Sequence, residues 1–272
     1  MRILVTGGSG FIGSHICRKL RFDNEVVNLD IRPSDISGIE NMIGNVRSRK
    51  DVRNAMTGCD AVFHLAAHIA FNGKQHYLTN LDGSINVFRE AQRIGSKVIF
   101  TSSAAVYGNA KPPLHEASPC RPISDYGKSK MLAELEAPYG SFIARLFNVY
   151  GPGGKSAVNK FVGQAINGEP FTVTDAKMTR DYVYIDDVAE ALLLGIENSG
   201  VFNVAGGKEI STGYLAQTVA RECKSSVLSI PMAKKAGEID QSYASIDKIC
   251  SIGWKPESSL RSGIRKMSRK SR

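Results

Sequence analysis

The stretch Thr6-Gly-Gly-Ser-Gly-Phe-Ile-Gly13 decides the fold, because it leads from a short apolar run into a segment with helical spacing. Its glycines satisfy two registers at once, Gly8-x-Gly10-x-x-Gly13 and Gly7-x-x-Gly10-x-x-Gly13. Glycines allow a tight turn and a close approach of the backbone to a pyrophosphate, and a helix N-terminus offers free N–H groups. A glycine-rich turn can also be a turn and nothing more, but its place after the first strand favours a phosphate-binding loop.

The first half of the chain alternates apolar runs with helical patterns. We predict strands at residues 2–6, 25–29, 61–65, 97–102 and 141–147, and helices at residues 11–20, 50–56 and 77–93. This rhythm predicts an α/β fold with a doubly wound parallel sheet, whose ligands bind at the carboxyl ends of the strands. After Tyr150 the pattern changes. We therefore predict a dinucleotide-binding domain over residues 1–150, with 182–204 returning to its sheet, and a smaller mixed α/β lobe over 151–181 and 205–272.

The composition is that of an ordinary globular protein. Of the 272 residues, 42% are hydrophobic and 22% are charged, which is enough apolar content to bury a core. The sequence contains no apolar run long enough to cross a bilayer and no signal-peptide layout at its start. The five cysteines are never spaced CxxC, and the five histidines show no metal spacing. We therefore expect a cytoplasmic protein with reduced thiols, no membrane partner and no metal site.

The net charge of +9 is concentrated at the C-terminus. Six basic residues and no acidic one stand among the last twelve: Arg261, Arg265, Lys266, Arg269, Lys270 and Arg272. A basic tail is not a basic face, so we expect no specific nucleic-acid partner. The tail is expected to be a frayed, solvated terminus, and the alternative is a weak tether to phosphates or to a membrane surface.

An acidic residue, Asp30, stands at the end of the second predicted strand. A carboxylate at this position accepts hydrogen bonds from an adenosine ribose and repels a 2′-phosphate. Asp30 could instead only cap the next turn, and Arg32, two residues later, could accommodate that phosphate. The sequence favours NAD over NADP.

Tyr126-Gly-Lys-Ser-Lys130 places a tyrosine and a lysine at i and i+4, on one face of a helix. The pKa of a free tyrosine is about 10, and a neighbouring ammonium favours the phenolate, so Lys130 is expected to lower the pKa of Tyr126. A strand ends at Ser102 and Ser103, which brings hydroxyl groups to the edge of the sheet that would hold the cofactor. Ser103 is expected to relay a substrate proton to Tyr126, although hydroxyl groups at strand ends are also ordinary turn formers.

Further motifs follow the glycine loop in a definite order. They are Asp30, His64-Leu-Ala-Ala67, Asn80-x-x-Gly83, the run 102–108 (SSAAVYG), the run 126–130 (YGKSK), the run 145–152 (RLFNVYGP), the run 180–188 (RDYVYIDDV) and Gly253-Trp-Lys-Pro256. Together they resemble an extended short-chain dehydrogenase/reductase of the NAD-dependent epimerase/dehydratase family, and most closely its UDP-galactose (UDP-glucose) 4-epimerases. The resemblance implies a Rossmann fold, NAD as the cofactor and a nucleotide-sugar substrate.

The resemblance also implies a role for each matching position. Ser103, Tyr126 and Lys130 would be the catalytic residues. The cofactor would contact these three and Gly7, Gly10, Phe11, Ile12, Gly13, Asp30, Asn45, Val46, Leu65, Ala66, Ala67, Asn80 and Phe147. The substrate would contact Ser103 and Tyr126. Its diphosphate would contact Asn148 and Arg180, its nucleoside would contact Lys235 and Glu238, and its sugar would contact Ser242.

Three features depart from the family's pattern. Asn45 stands where relatives usually have Asp, and Lys235 replaces a usual Arg, which exchanges a two-pronged donor for a point charge. The segment 131–144 is short, and Pro138 is expected to end its helix early. The resemblance implies a homodimer formed through this helix, and the shortening places the dimer in question.

The step shared by the family is hydride transfer from a sugar carbon to NAD, while a tyrosinate takes the hydroxyl proton. An epimerase then returns the hydride to the other face of the 4-keto sugar. A 4,6-dehydratase needs an extra acid and base directly after Ser103, where this chain has Ala104 and Ala105. The sequence therefore favours epimerisation at C4 of UDP-glucose and UDP-galactose. The alternatives are a 4-ketoreductase, a threonine dehydrogenase-like enzyme and a non-catalytic NAD-binding sensor.

Ser242 bears on the range of substrates. It lies four residues beyond Lys235-Ala-Gly-Glu238, at the position that in the 4-epimerases sets the room beside C2 of the sugar. A tyrosine there restricts the enzyme to plain hexoses, whereas a small residue admits N-acetylated sugars. We therefore expect UDP-N-acetylglucosamine and UDP-N-acetylgalactosamine to be accepted too, unless Ser242 only faces solvent at the start of a strand.

Overall fold

The computed structural model describes residues 1–70, 73–173, 175–225, 229–231 and 239–270. The chain divides into two compact units. Unit 1 comprises Met1–Gly108, Pro119–Arg145 and Ala189–Phe202, and unit 2 comprises Asn109–Ser118, Leu146–Val188 and Asn203–Arg272. The division differs from the predicted one, because residues 109–118 and 146–150 belong to unit 2 and the stretch 182–204 is shared between the units.

Short strands and helices alternate along the chain. The strands are β1 (Arg2–Thr6), β2 (Glu25–Asp30), β3 (Glu40–Ile43), β4 (Ala61–His64), β5 (Lys97–Ser103), β6 (Phe142–Leu146), β7 (Asn148–Tyr150), β8 (Phe171–Val173), β9 (Thr179–Arg180), β10 (Tyr182–Tyr184), β11 (Gly200–Val204), β12 (Ile210–Ser211), β13 (Ser229–Pro231) and β14 (Gln241–Ser242). The α-helices are α1 (Phe11–Leu20), α2 (Arg49–Met56), α3 (Gly73–His76), α4 (Gly83–Ile94), α5 (Asp125–Glu136), α6 (Ala157–Asn167), α7 (Ile185–Leu193), α8 (Thr212–Cys223), α9 (Asp247–Cys250) and α10 (Leu260–Lys270). A π-helical turn spans Tyr77–Asp82, and 3₁₀ helices span Ala104–Tyr107 and Leu194–Ile196.

Seven strands form one parallel sheet in the order β11-β6-β5-β4-β1-β2-β3. The order reverses between β1 and β4, which pair in parallel with Thr6 opposite His64. In a doubly wound sheet the ligand crevice opens at such a reversal, beyond the carboxyl ends of the two strands. The predicted fold class is confirmed, and the glycine loop lies at the carboxyl end of β1.

The central strands are buried along most of their length because helices cover both faces of a parallel sheet. All four residues of β4 are buried, as are Ile3, Leu4 and Val5 of β1. The sequence gives no signal for β3, because this strand pairs only with β2 at the edge of the sheet and most of its residues are exposed. An edge strand without an apolar face lacks the alternation that identifies strands in a sequence.

The segment predicted as one helix over residues 77–93 is divided into the π-helical turn and α4. Asn80 lies in the π-helical turn and is fully buried. Apolar spacing does not distinguish a π-helical turn from an α-helix, although such turns are frequent at functional sites.

The basic C-terminal segment is a packed helix, so the expectation of a frayed tail is wrong for residues 260–270. Helix α10 buries Ile264 and Met267. Arg265 Nη2 lies 2.9 Å from Glu222 Oε2 of α8, and Arg261 pairs with the same carboxylate. An amphipathic helix with acidic partners gains apolar burial that a solvated tail lacks. Ser271 and the basic residue Arg272 lie outside the described part of the chain.

Unit 2 contains small sheets that pair distant segments of the chain. Strand β10 pairs in parallel with β7, and β9 lies between β12 and β14. In the second of these sheets Ser242 of β14 is opposite Arg180 of β9. Among the described helices of both units, none has the length and apolarity to span a membrane.

Candidate active site

The glycine loop folds so tightly that side chains would not fit in it. Gly7 has a φ of +76°, and a Cβ there would lie 2.8 Å from the backbone of Ala66. A Cβ on Gly13 would lie 2.1 Å from the carbonyl oxygen of Gly7. Gly10 is the N-cap of α1 and, as a glycine, has no side chain to bind the first amides of the helix. The loop is therefore a backbone cradle at a helix N-terminus, the arrangement that suits a pyrophosphate.

Asp30 ends β2 beside this cradle. Its Oδ2 accepts a hydrogen bond from the Ser9 amide at 3.1 Å, and its Oδ1 accepts one from the Arg32 amide at 3.1 Å. The carboxylate therefore caps the following turn and also binds the glycine loop. A carboxylate has about four lone-pair sites, so two of them stay open to ribose hydroxyl groups. The side chain of Arg32 is exposed.

Asn45 and Val46 follow β3. Val46 is buried, and the Asn45 side chain accepts a hydrogen bond from the Arg47 amide at 3.0 Å. The Asn45 amide in turn donates to Asp51 Oδ2 at 3.0 Å. The side-chain oxygen of Asn45 therefore accepts a hydrogen bond within a local turn. The side-chain NH₂ group of Asn45 is the group that could donate hydrogen bonds to a purine ring.

Leu65, Ala66 and Ala67 follow β4 across the reversal in strand order. The Leu65 amide donates to the Thr6 carbonyl at 3.1 Å, which holds this loop against the end of β1. Asn80 fastens the next residue, because its side chain accepts from the His68 amide at 2.7 Å and donates to the His68 carbonyl at 3.0 Å.

Asn80 also donates to Ser129 Oγ of α5 at 3.0 Å. Its fully buried amide therefore links the loop after β4 to the helix that carries Tyr126 and Lys130. These contacts give Asn80 a structural role, which is to hold the loop after β4 in place. Ala66 and Ala67 of that loop are less buried than Asn80.

Helix α5 lies close to the end of β5 because its third residue is a glycine, Gly127. A Cβ on Gly127 would lie 2.5 Å from the carbonyl oxygen of Ala105, which follows Ser103 in the 3₁₀ helix. Ser124 caps α5 by accepting a hydrogen bond from the Gly127 amide. This close approach brings Tyr126 to Ser103, and the two side chains are hydrogen-bonded.

Lys130 lies on the same face of α5, one turn after Tyr126, and is almost fully buried. Its Nζ donates to the Thr101 carbonyl at 2.8 Å and lies 4.8 Å from the centre of the Phe100 ring. Burial lowers the pKa of Lys130 to about 7, and the carboxylate of Glu134 opposes this shift.

The prediction that Lys130 lowers the pKa of Tyr126 is wrong. Burial raises the pKa of Tyr126 above its usual value, and the hydrogen bond with Ser103 only opposes this. The physical reason is that both groups are removed from water and that the Lys130 ammonium bonds to a backbone carbonyl.

Several groups near Tyr126 are not evident from the sequence. The ring of His76 packs against that of Tyr126 with centroids 5.8 Å apart, and its Nδ1 is 3.0 Å from the His68 carbonyl. Ser102 Oγ is buried and has no hydrogen-bond partner among the described residues. A backbone carbonyl such as that of Thr101 has no sequence signature. His68 lies in a loop and His76 ends the four-residue helix α3, and the sequence does not predict the position of either.

The residues predicted to bind the substrate diphosphate lie together in unit 2. Asn148 and Tyr182 are opposite each other in the β7–β10 pair, and Arg180 of β9 is opposite Ser242 of β14. Ser242 is half-buried, and Phe147 is buried with its amide bonded to the Val204 carbonyl at 3.1 Å. Lys235 and Glu238 lie outside the described residues.

The residues of unit 1 fit a dinucleotide. The glycine cradle has no space for a Cβ, Asp30 keeps open acceptor sites, and the Ser102 hydroxyl is a buried group without a partner among the described residues. These features lie at the carboxyl ends of β1, β2 and β5, where a doubly wound sheet binds its ligands.

Comparison with known proteins finds one family, whose members that resemble this chain bear the names of different activities. Residues 3–205 match the profile of the NAD dependent epimerase/dehydratase family. A Methanocaldococcus jannaschii protein provisionally named UDP-glucose 4-epimerase is 33% identical over 97% of this chain and 96% of its own. The UDP-glucuronic acid decarboxylase 6 of Arabidopsis thaliana is 31% identical over 97% of this chain and 87% of its own. The crystal structure of Thermus thermophilus UDP-glucose 4-epimerase in complex with NAD is similar with a TM-score of 0.91 at 29% identity, covering 99% and 98% of the two chains.

Proposed function

Because this chain belongs to the NAD dependent epimerase/dehydratase family, we propose that it epimerises C4 of a nucleotide-diphosphate sugar. The observation that carries the proposal is the arrangement of Ser103, Tyr126 and Lys130 around the end of β5. Tyr126 is hydrogen-bonded to Ser103, and Lys130 lies one helical turn away. The substrates would be UDP-glucose and UDP-galactose, and with them their N-acetylated forms.

NAD would be held by the backbone of the glycine loop at its pyrophosphate and by Asp30 at the adenosine ribose. Phe11 and Ile12 begin helix α1 next to that loop, and Asn45 and Val46 would border the adenine. When bound, NAD supplies a reversible hydride acceptor. The protein must therefore supply the base, the orientation of the sugar and the exclusion of water.

Tyr126 would take the proton of the C4 hydroxyl group, with Ser103 as the relay between them. The raised pKa of Tyr126 means that the phenol holds its proton until a positive charge favours the phenolate. Lys130 is a buried cation one helical turn after Tyr126, and protonation at or below its pKa of about 7 makes its charge available.

The diphosphate would be bound by Asn148 and Arg180, and the nucleoside by Lys235 and Glu238. The guanidinium of Arg180 is only partly buried, with Nη1 donating to the Thr179 carbonyl at 2.8 Å. An Arg side chain has five N–H donors, so donors remain for phosphate oxygens. Ser242, opposite Arg180, would border C2 of the sugar.

A decarboxylase is the second candidate, because UDP-glucuronic acid decarboxylases of Arabidopsis thaliana are 29–31% identical to this chain. Oxidation at C4 of a sugar with a carboxylate on C5 gives a β-keto acid, which loses CO₂ readily. The outcome then depends on the substrate that the site admits. A dehydratase is disfavoured, since Ala104 and Ala105 cannot transfer a proton.

The test is a panel of UDP-, dTDP- and GDP-sugars, incubated without added coenzyme and separated by chromatography. An epimerase should interconvert C4 epimers with no net NADH, whereas a dehydrogenase should accumulate NADH. UDP-glucuronic acid belongs in the panel, and release of CO₂ from it would favour a decarboxylase.

Tyr126→Phe should reduce turnover by about two to four orders of magnitude and keep NAD binding, since that is the usual contribution of a general base. Tyr139→Phe is the matched control, because Tyr139 is fully exposed, and it should keep wild-type turnover. Near-normal epimerisation by the Tyr126 variant would contradict the mechanism.

A further inference from the structure

Asp181, which follows Arg180 in the chain, has a fully buried carboxylate. Its Oδ1 accepts a hydrogen bond from the Gly206 amide at 2.7 Å, and its Oδ2 accepts from the amides of Gly207 at 3.1 Å and Ala244 at 3.2 Å. Burying a carboxylate is costly unless hydrogen bonds compensate for the lost water. These donors come from two segments far apart in the sequence, so the carboxylate fastens both of them to the start of β10.

The backbone of Asp181 is bonded as well. Its carbonyl accepts from the backbone amide of Asn148 at 3.2 Å and from the Asn148 side chain at 2.9 Å. The Ala244 amide that donates to its carboxylate is two residues beyond Ser242, which pairs with Arg180. Asp181 is therefore in direct contact with, or adjacent to, the segments that carry Asn148, Arg180 and Ser242.

We propose that Asp181 is a positioning residue for the substrate site, which acts through Asn148, Arg180 and Ser242 and does not itself touch the substrate. This role rests on the proposed function of those three residues. Without the carboxylate, the loop at Gly206 and Gly207 and the segment at Ala244 lose their common acceptor. The diphosphate-binding groups then lose their fixed spacing, while the catalytic residues in unit 1 keep theirs.

The expected signature is a change in KM without a comparable change in kcat. Contacts to a diphosphate are equally strong in the ground state and in the transition state, so their loss weakens binding and leaves the chemical step alone. Asp181→Asn should raise KM for the nucleotide sugar at least tenfold, weaken UDP binding equally, change kcat less than threefold and leave the Kd of NAD unchanged.

Asp187→Asn is the matched control. Asp187 is also a buried carboxylate of unit 2, and it accepts from the backbone amides of Glu257 at 3.2 Å and Ser258 at 3.1 Å. Its donors belong to a different segment, so its loss should lower thermal stability without raising KM. Equal increases of KM in both variants would show that general loosening of unit 2 is responsible, and this would overturn the proposal.

A second variant tests the same contact without altering the charge. A Cβ on Gly206 would lie 2.4 Å from the Tyr182 carbonyl oxygen and 3.1 Å from Asp181 Oδ1, so Gly206→Ala must push the loop away. It should reproduce the increase in KM, whereas Gly163→Ala, where a Cβ would meet no atom within 4 Å, should not.

UDP affinities measured by calorimetry separate this inference from the proposed function. Failure of the proposed function appears in the wild type itself, as absence of turnover on every sugar of the panel. Wild-type affinity for UDP in Gly206→Ala and in Asp181→Asn would overturn the positioning role, whatever the reaction. If Asp181→Asn does not fold, the result for Gly206→Ala decides.

Discussion

Protonation of His64 is expected to destabilise this protein in mild acid. His64 ends β4 and is fully buried, with Nδ1 2.7 Å from Thr6 Oγ1 and Nε2 2.8 Å from Ser84 Oγ. Ser84 donates its own hydroxyl hydrogen to the Asn80 carbonyl at 2.6 Å, so it must accept from Nε2–H. The Thr6 hydroxyl then donates to Nδ1, and the neutral ring is fully satisfied. A second ring proton would face the Thr6 hydroxyl and force its hydrogen away.

The size of the effect follows from the pKa. Burial, together with the positive charge of Lys130, lowers the pKa of His64 from 6.5 to about 3. Between these values the unfolded chain binds a proton that the folded protein excludes. The contribution of His64 to stability is therefore complete above the unfolded pKa and is lost as the pH falls toward the folded one. The slope approaches about 1.4 kcal/mol per pH unit, which amounts to about 2 kcal/mol between pH 7 and pH 5.

The assay is denaturant unfolding at a series of pH values, for the wild type and for His64→Gln. The variant should be less stable at neutral pH but should lose about 2 kcal/mol less than the wild type between pH 7 and pH 5. Burial raises the pKa of Asp181 to about 7, so its contribution is lost as the pH rises through that value. This opposite effect is common to both proteins and cancels in the difference. His115→Gln, at an exposed position, is the control. Parallel curves for His64→Gln and the wild type would refute the reasoning.

Three further predictions concern the ligands. NAD should bind more tightly than NADP, because Asp30 would repel the 2′-phosphate by on the order of 1 kcal/mol or more. Equal affinities for NAD and NADP, measured by calorimetry, would exclude Asp30 as the residue that determines this preference. Gly13→Ala should weaken NAD binding at least tenfold, since its Cβ would lie 2.1 Å from the Gly7 carbonyl oxygen, whereas Gly163→Ala should bind NAD normally. Ser242→Tyr should abolish activity on the N-acetylated UDP-sugars and spare UDP-galactose, and an equal loss of kcat/KM for both pairs would contradict the assigned position.

The amino-acid sequence alone determined the family, the fold class and the cofactor, all of which are confirmed. These properties depend on local patterns. The glycine loop is defined by the absence of side chains, β1 and β4 by short, mainly apolar runs, and the Tyr126–Lys130 pair by the helical repeat. Each pattern lies within a few consecutive residues, so no knowledge of distant contacts is needed to recognise it.

The tertiary structure alone decided properties that depend on partners distant in the sequence. The basic segment at the C-terminus is a helix because Arg265 pairs with Glu222 and because Ile264 and Met267 are buried. The pKa of Lys130 is lowered because the fold buries it beside Phe100. Asp181 joins two distant segments of the chain because its carboxylate accepts hydrogen bonds from the amides of both Gly206 and Ala244. Burial and hydrogen bonding between remote segments exist only after the chain has folded, and a linear pattern does not encode them in any short window.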